Sequence, residues 1–276
     1  MLLDLHYPPD PNSKACLVLD AIANAYENRK QMFTNKIDKN SIQVFWGLAN
    51  NNAIKIKQCK DNNIPFIFTD MPYWNRWTKH DVSWSKNNAH WRIIPNNFHI
   101  TCVEDFKNNR AKELGIVLNE FKSNGEHILI CPSSATLTKF ITGKSDQQWA
   151  HEVAEQCSKM YKDKLIRIRY KPRKNGTSGP DVEKISVNED LDNCWATVTL
   201  SSIVGVESLV NGVQNIFTHK NVSATNSVGT FIQDKVVYKN REKWINTLAN
   251  YQFNLSEIKQ QKIGHIIENA LCLHNR

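Results

Sequence analysis

The chain has 276 residues, a formal net charge of +8 and 41% apolar residues, which fits one large domain or two small ones. No run of eighteen apolar residues occurs, which excludes a helical membrane span, and Met1–Pro11 has no basic start before an apolar run, so no signal peptide is expected. Seven cysteines without a C-x-x-C pair and nine histidines without zinc-ligand spacing argue for reduced thiols in a cytoplasmic protein with no bound metal.

In chain order, Ala15–Tyr26 is rich in Ala and Leu and reads as a helix. Ile42–Trp46 is strand-like, Gly47 opens a loop, Asn52–Asp61 fits a helix and Phe66–Thr69 is a second strand. This is the rhythm of a βαβ unit. Asp70 ends that strand, where an acid is well placed for chemistry; equally, it could set an Asx-turn before Pro72. Five aromatics follow (Tyr73, Trp74, Trp77, Trp84, Trp91), interleaved with Arg76, Lys79, His80, Lys86, His90 and Arg92. Rings that stack and cations that pair with phosphates suit a nucleic-acid or sugar surface; the alternative is a small core that pins a long loop. Ile93–His99 reads as a strand and turn, and 105–124 as a linker ending at Ser123-Asn124-Gly125.

His127–Cys131 is a strand ending in Pro132-Ser133-Ser134, either a plain turn or a loop that meets phosphate or sugar oxygens. Ser145 with Gln148 forms a capping box, and Trp149, Val153, Cys157 and Met160 give the following helix one apolar face. Leu165–Tyr170 is a strand carrying Arg167, Arg169 and Lys171 on one face, followed by Arg173 and Lys174 in a loop to Pro180. Such a row is either a protected sheet edge or a phosphate-facing strand end. Trp195–Thr218 reads strand, helix, strand, with Ser201 and Ser202 at the helix start and Gly212 as its left-handed stop. Glu207 interrupts the apolar helix, and lines a cleft or lies on a solvated face. After a loop to about Val228, helices are expected over Arg241–Ala249 and from Asn254 to Leu271. No G-x-G-x-x-G follows a strand and no Walker loop exists, which sets aside a dinucleotide-binding dehydrogenase.

Lys171-Pro172 after a strand, Asp190-Leu191 before one, Thr199-Leu200-Ser201-Ser202, Gly205-x-Glu207 and Gly212-Val213 together resemble the C-terminal lobe of GT-B nucleotide-sugar glycosyltransferases, the capsule and Kdo transferases in particular. The chain also resembles a group of bacteriophage glycosyltransferases in Trp46-Gly47, Phe68-Thr69-Asp70-Met71-Pro72-Tyr73, Trp91-Arg92-Ile93 and the long element from Arg241 to Ile258. The resemblance implies an α/β, GT-B-like fold of two Rossmann-like lobes with a reduced N-terminal lobe: 1–122 on the acceptor side, 123–240 binding the nucleotide-sugar, and 241–276 as helices packing back across the lobes. It implies an inverting transferase taking a UDP-sugar, with Mg2+ as a stimulant rather than a bound cofactor. Ser133, Ser134, Arg169, Lys171, Ser201, Ser202 and Glu207 would hold the donor. Asp70 would be the general base, with His90 or His99 in reserve. The implied acceptor is a hydroxymethylated pyrimidine in double-stranded phage DNA, bound by Trp74, Arg76, Trp77, Lys79 and Arg92. The alternatives are a surface-polysaccharide or lipid-linked sugar acceptor, or a non-catalytic DNA-binding module, in a monomer or homodimer.

Overall fold

The computed structural model describes residues 2–32, 36–78, 80–100, 102–171, 186–218 and 241–272. Lys79, the expected loop from Pro172 to Pro180 with Arg173 and Lys174, and the loop from 219 to 228 lie outside them. The chain divides into two compact units, Met1–Ile100 with Leu248–Arg276, and Thr101–Thr247. Gly125, read as a break between lobes, lies inside the second unit.

The first unit starts with β1 (Leu3–Tyr7), α1 (Lys14–Ala25), β2 (Asn28–Met32), β3 (Ile42–Trp46), α2 (Asn52–Asp61), β4 (Phe66–Asp70), α3 (Val82–Asn88) and β5 (His90–Pro95). The second carries α4 (Arg110–Glu113), β6 (His127–Cys131), α5 (Ala135–Thr142), α6 (Asp146–Met160), β7 (Leu165–Ile168), α7 (Val187–Asp192), β8 (Cys194–Thr199), α8 (Ile203–Val210), β9 (Gln214–Phe217) and the start of α9 (Arg241–Asn250). The chain then returns to the first unit with β10 (Gln252–Asn254), α10 (Leu255–Lys259) and α11 (Gly264–Cys272).

The first sheet has the order β10-β5-β4-β3-β1-β2, and the second β7-β6-β8-β9. β1 to β4 run parallel, while β5 and β10 are antiparallel additions. The second sheet is parallel throughout. The unit expected to be reduced therefore has the larger sheet. Residues 3–32 supply two strands and a helix to it, and the end of the chain supplies β10. Neither β1 nor β2 was expected, although Leu-Asp-Leu-His-Tyr alternates apolar and polar residues; β1 is buried on both faces.

In the second unit side-chain alternation sorts the core into two layers. Ile128, Ile130, Val198 and Ile216 pack with Trp149, Val153 and Cys157 of α6 on one face. Leu129, Cys131 and Cys194 pack with Leu191 of α7 and with Val213 on the other. The capping box of Ser145 and Gln148 starts α6 as expected. At the end of α8, Gly212 adopts φ +73°, and a Cβ there would lie 2.0 Å from the Glu120 carbonyl oxygen.

The first sheet buries a polar chain. Asp4 and His6 point to one face of β1. The Asp4 carboxylate accepts from Arg29 Nε (2.8 Å), Ser41 Oγ (2.5 Å) and Gln43 Nε2 (3.1 Å). His6 Nε2 lies 2.8 Å from Gln43 Oε1, and its Nδ1 lies 3.2 Å from Lys55 Nζ. Burial, helped by the Lys55 charge, brings the His6 imidazole down to about 4 despite the Gln43 hydrogen bond. His6 Nδ1 is thereby an acceptor for the ammonium, and the ring stacks on Phe45 at 4.5 Å.

Two outcomes follow from these arrangements. Gly212→Ala must hold a left-handed backbone and move Glu120, so unfolding in urea should show a loss of at least about 1–2 kcal/mol. The unfolded chain takes a proton on His6 near pH 6.5 while the folded one does not until about 4. Stability should therefore fall as pH drops below 6.5, with about 2 kcal/mol from His6 alone at pH 5. Urea midpoints at pH 7 and pH 5, compared with those of His6→Gln, measure that share; an equal loss in the variant assigns it elsewhere.

Candidate functional site

In a parallel sheet every strand ends at the same edge, and ligands gather where neighbouring strands send their chains in opposite directions. In the second unit that point lies between β6 and β8: from β6 the chain goes out to β7, then crosses to β8 and on to β9. Both strands there are followed by serine pairs and a helix start. Ser134 caps α5, its Oγ accepting from the Leu137 N–H at 3.4 Å, and Ser202 caps α8, accepting from the Val204 N–H at 3.4 Å. The first-turn N–H groups of each helix lack intrahelical acceptors and carry the positive end of the helix dipole. Two such ends follow neighbouring strands in the sheet order, an arrangement whose free N–H groups suit an anion.

Ser133 adds an independent sign. It is 6% exposed, and its Oγ has no hydrogen-bond partner among the described residues. A hydroxyl taken out of water without a partner costs free energy. Ser201 is buried beside the same edge and Glu207 is half-buried one turn into α8. Around the Cys131 thiol at the end of β6, burial first, then Cys194 and, more weakly, the fields of Asp190 and Glu207 push proton affinity up, against the field of Arg169. The thiol stays protonated, and the same couplings put Arg169, Asp190 and Glu207 close to the end of β6.

The basic row on β7 is partly spent inside the unit. Asp190 of α7 is 1% exposed and takes both Arg167, at 3.0 Å, and Arg169. The one buried carboxylate holds both guanidinium groups in place beside the end of β7. Lys171, just past β7, is exposed. Of the expected donor residues, the fold brings Ser133, Ser134, Ser201, Ser202, Arg169 and Glu207 to one sheet edge. Asp190 was legible only as part of a motif, and its pairing with Arg167 and Arg169 depends on α7 crossing the sheet face.

The expected acceptor-side residues fall in the first unit. Asp70 ends β4. Its Oδ1 accepts from the Met71 N–H at 2.7 Å and its Oδ2 from Arg92 at 3.1 Å. Arg92 is 3% exposed, so it cannot be the nucleic-acid contact expected of it. Its other terminal nitrogen lies 3.0 Å from His99 Nδ1, which is also 3.0 Å from the Tyr73 hydroxyl. Burial, reinforced by Arg92, holds the His99 imidazole neutral and well below the ordinary histidine range. His90 is buried, with Nδ1 2.8 Å from the Asn88 carbonyl oxygen and Nε2 3.9 Å from Glu257.

The aromatic segment is mostly a small core. Trp91 is buried, with Trp46 at 5.4 Å and Trp77 at 6.2 Å. Tyr73 is buried against Trp74, and Gln252 Oε1 accepts from the N–H groups of both residues at 3.0 and 3.3 Å. Trp74 and Trp77 are half-buried, and Arg76 and Trp84 are exposed. The contact between Tyr73 and Gln252 was missed because 179 residues separate them in the chain. Among the described residues, no three His, Cys, Asp or Glu side chains converge as metal ligands.

No protein-family model matches the chain, and no curated protein matches it in sequence. Two solved structures from Thermosulfurimonas dismutans share its fold over nearly their whole length. The KpsC beta Kdo 2,4 transferase matches with a TM-score of 0.58 at 12% identity, covering 97% of this chain and 98% of that one. The KpsC beta Kdo 2,7 transferase matches with a TM-score of 0.54 at 10% identity, covering 96% and 99%. At such identities the likeness is one of fold, a mixed α/β chain with parallel sheets.

Proposed function

We propose that the protein is a glycosyltransferase that draws its sugar from a nucleotide-sugar held at the carboxyl edge of the second sheet. The observation that carries this reading is the buried, unpartnered Ser133 hydroxyl between two serine-capped helix starts. The donor phosphate would take hydrogen bonds from Ser133, Ser201 and the first turns of α5 and α8. Arg169 and Lys171 would offset its negative charge, and Glu207 would accept from sugar or ribose hydroxyls. The names of the two solved neighbours, both Kdo transferases, support sugar transfer as the chemistry.

In the reaction an acceptor hydroxyl oxygen bonds to the anomeric carbon while the bond from that carbon to the phosphate oxygen breaks. The electron pair leaves on the phosphate, stabilised by donors already in place. The hydroxyl proton passes to Asp70 as general base, and a single displacement inverts the anomeric configuration. A saccharide acceptor is favoured over DNA by one observation: Arg92, one of the residues expected to contact a duplex, is buried inside the first unit.

A thermal-shift series with UDP, GDP, CMP and their sugars tests the donor site. Saturation near 100 times Kd adds about 2.7 kcal/mol, a rise of roughly 5 °C or more for a protein of this size. Glu207→Ala should weaken binding about tenfold or more. Ser133→Ala should do the same while leaving the ligand-free protein as stable or more stable, since it removes a buried hydroxyl that has no partner. If no nucleotide shifts the transition and the protein instead binds duplex DNA with steep salt dependence, the binding module replaces the enzyme.

A further inference from the structure

We propose that Arg92, His99 and Tyr73 form a positioning group that fixes the Asp70 carboxylate for proton transfer, and that Gln252 of β10 locks this group in place. The inference rests on the transferase reading and adds residues to its acceptor side. An ionised carboxylate has about four lone-pair sites. Asp70 uses one on each oxygen, for Met71 N–H and for Arg92. Its side chain is 35% exposed, so the remaining sites are open on a carboxylate whose plane is set by two donors.

Arg92 is itself fixed from behind. One terminal nitrogen meets Asp70 and the other meets His99 Nδ1, so the guanidinium spans an acid and a base with a defined tilt. The Tyr73 ring lies 5.2 Å from its central carbon. His99 Nδ1 accepts from Arg92, which can only donate, and the Tyr73 hydroxyl lies 3.0 Å from the same nitrogen. Protonation of His99 would set a second cation against Arg92, and burial with the arginine charge prevents it. Tyr73 is anchored by its backbone N–H to Gln252 Oε1, and Gln252 stands directly opposite Arg92 in the pairing of β10 with β5. A surface ion pair would need none of this; a carboxylate that must receive a proton in one direction does.

The test is steady-state sugar transfer by the full chain, with donor binding and urea stability measured beside it. Asp70→Asn should lower kcat about 100-fold or more with donor affinity unchanged. Arg92→Lys keeps the charge but cannot bridge, and should lower kcat about 10- to 100-fold, again without changing donor affinity. His99→Asn, whose Oδ1 can replace Nδ1 as acceptor, should retain several-fold more activity than His99→Leu at equal stability. In Arg92→Ala, methylguanidinium should restore part of kcat, and it should restore nothing in Asp70→Asn. A folded Arg92→Lys with wild-type kcat, or an Asp70→Asn within twofold of wild type, overturns the inference while the donor site stands. A chain that binds no sugar nucleotide removes both.

Discussion

Parallel strands cannot be joined by tight turns; after each one the chain must cross a sheet face and begin again at the same end. That constraint governs both units. It puts the loops after β6 and β8 on one edge and makes Ser133, Ser134, Ser201 and Ser202 neighbours although 65 or more residues separate the pairs. In the first unit it does the same for the ends of β1, β3 and β4, where His6, Trp46 and Asp70 stand. Helix starts follow from the same rule, because each crossover helix begins where its strand stops. The chemistry of the second edge is thus a product of topology first and of particular side chains second.

Buried ion pairs organise what the strands leave open. Arg92 with Asp70, Arg169 with Asp190 and Arg29 with Asp4 each join an arginine to a strand or helix acid in the interior or at its margin. Each such pair is neutral in itself, so the +8 formal charge is carried by residues outside these pairs. As a string of letters the run from Tyr73 to Arg92 is aromatic and basic, the composition of a nucleic-acid surface. In the fold, its middle loops outward while both ends turn in to stack on Trp46 and to cover Asp70.

What could be read in the chain had local causes. The box of Ser145 and Gln148, the serines before α8, the stop at Gly212 and the short apolar strands β3, β4, β6 and β8 depend on residues a few positions apart. What escaped had distant causes. β2 is a polar strand, Asn-Arg-Lys-Gln-Met, that exists because β1 lies beside it. β10 is three residues long and is defined by β5, some 160 positions earlier. The residues proposed to hold the donor were named from a resemblance carried by short motifs in the sequence. The surroundings of Asp70 were not, because Arg92, His99 and Gln252 reach it only after the sheet has formed.

Thr101–Thr247 is an unbroken stretch set within a unit whose own parts lie on either side of it. During synthesis the inserted unit is complete once α9 has emerged as far as Thr247, and can then fold. The flanking unit has by then long displayed β5 with an unpaired edge, together with Tyr73 and Trp74 N–H groups that await Gln252. Its first hundred residues must wait for the last thirty, so an open sheet edge persists through most of translation. That interval, rather than the finished molecule, is where association between nascent chains would be most costly, and the short β10 is the element that ends it.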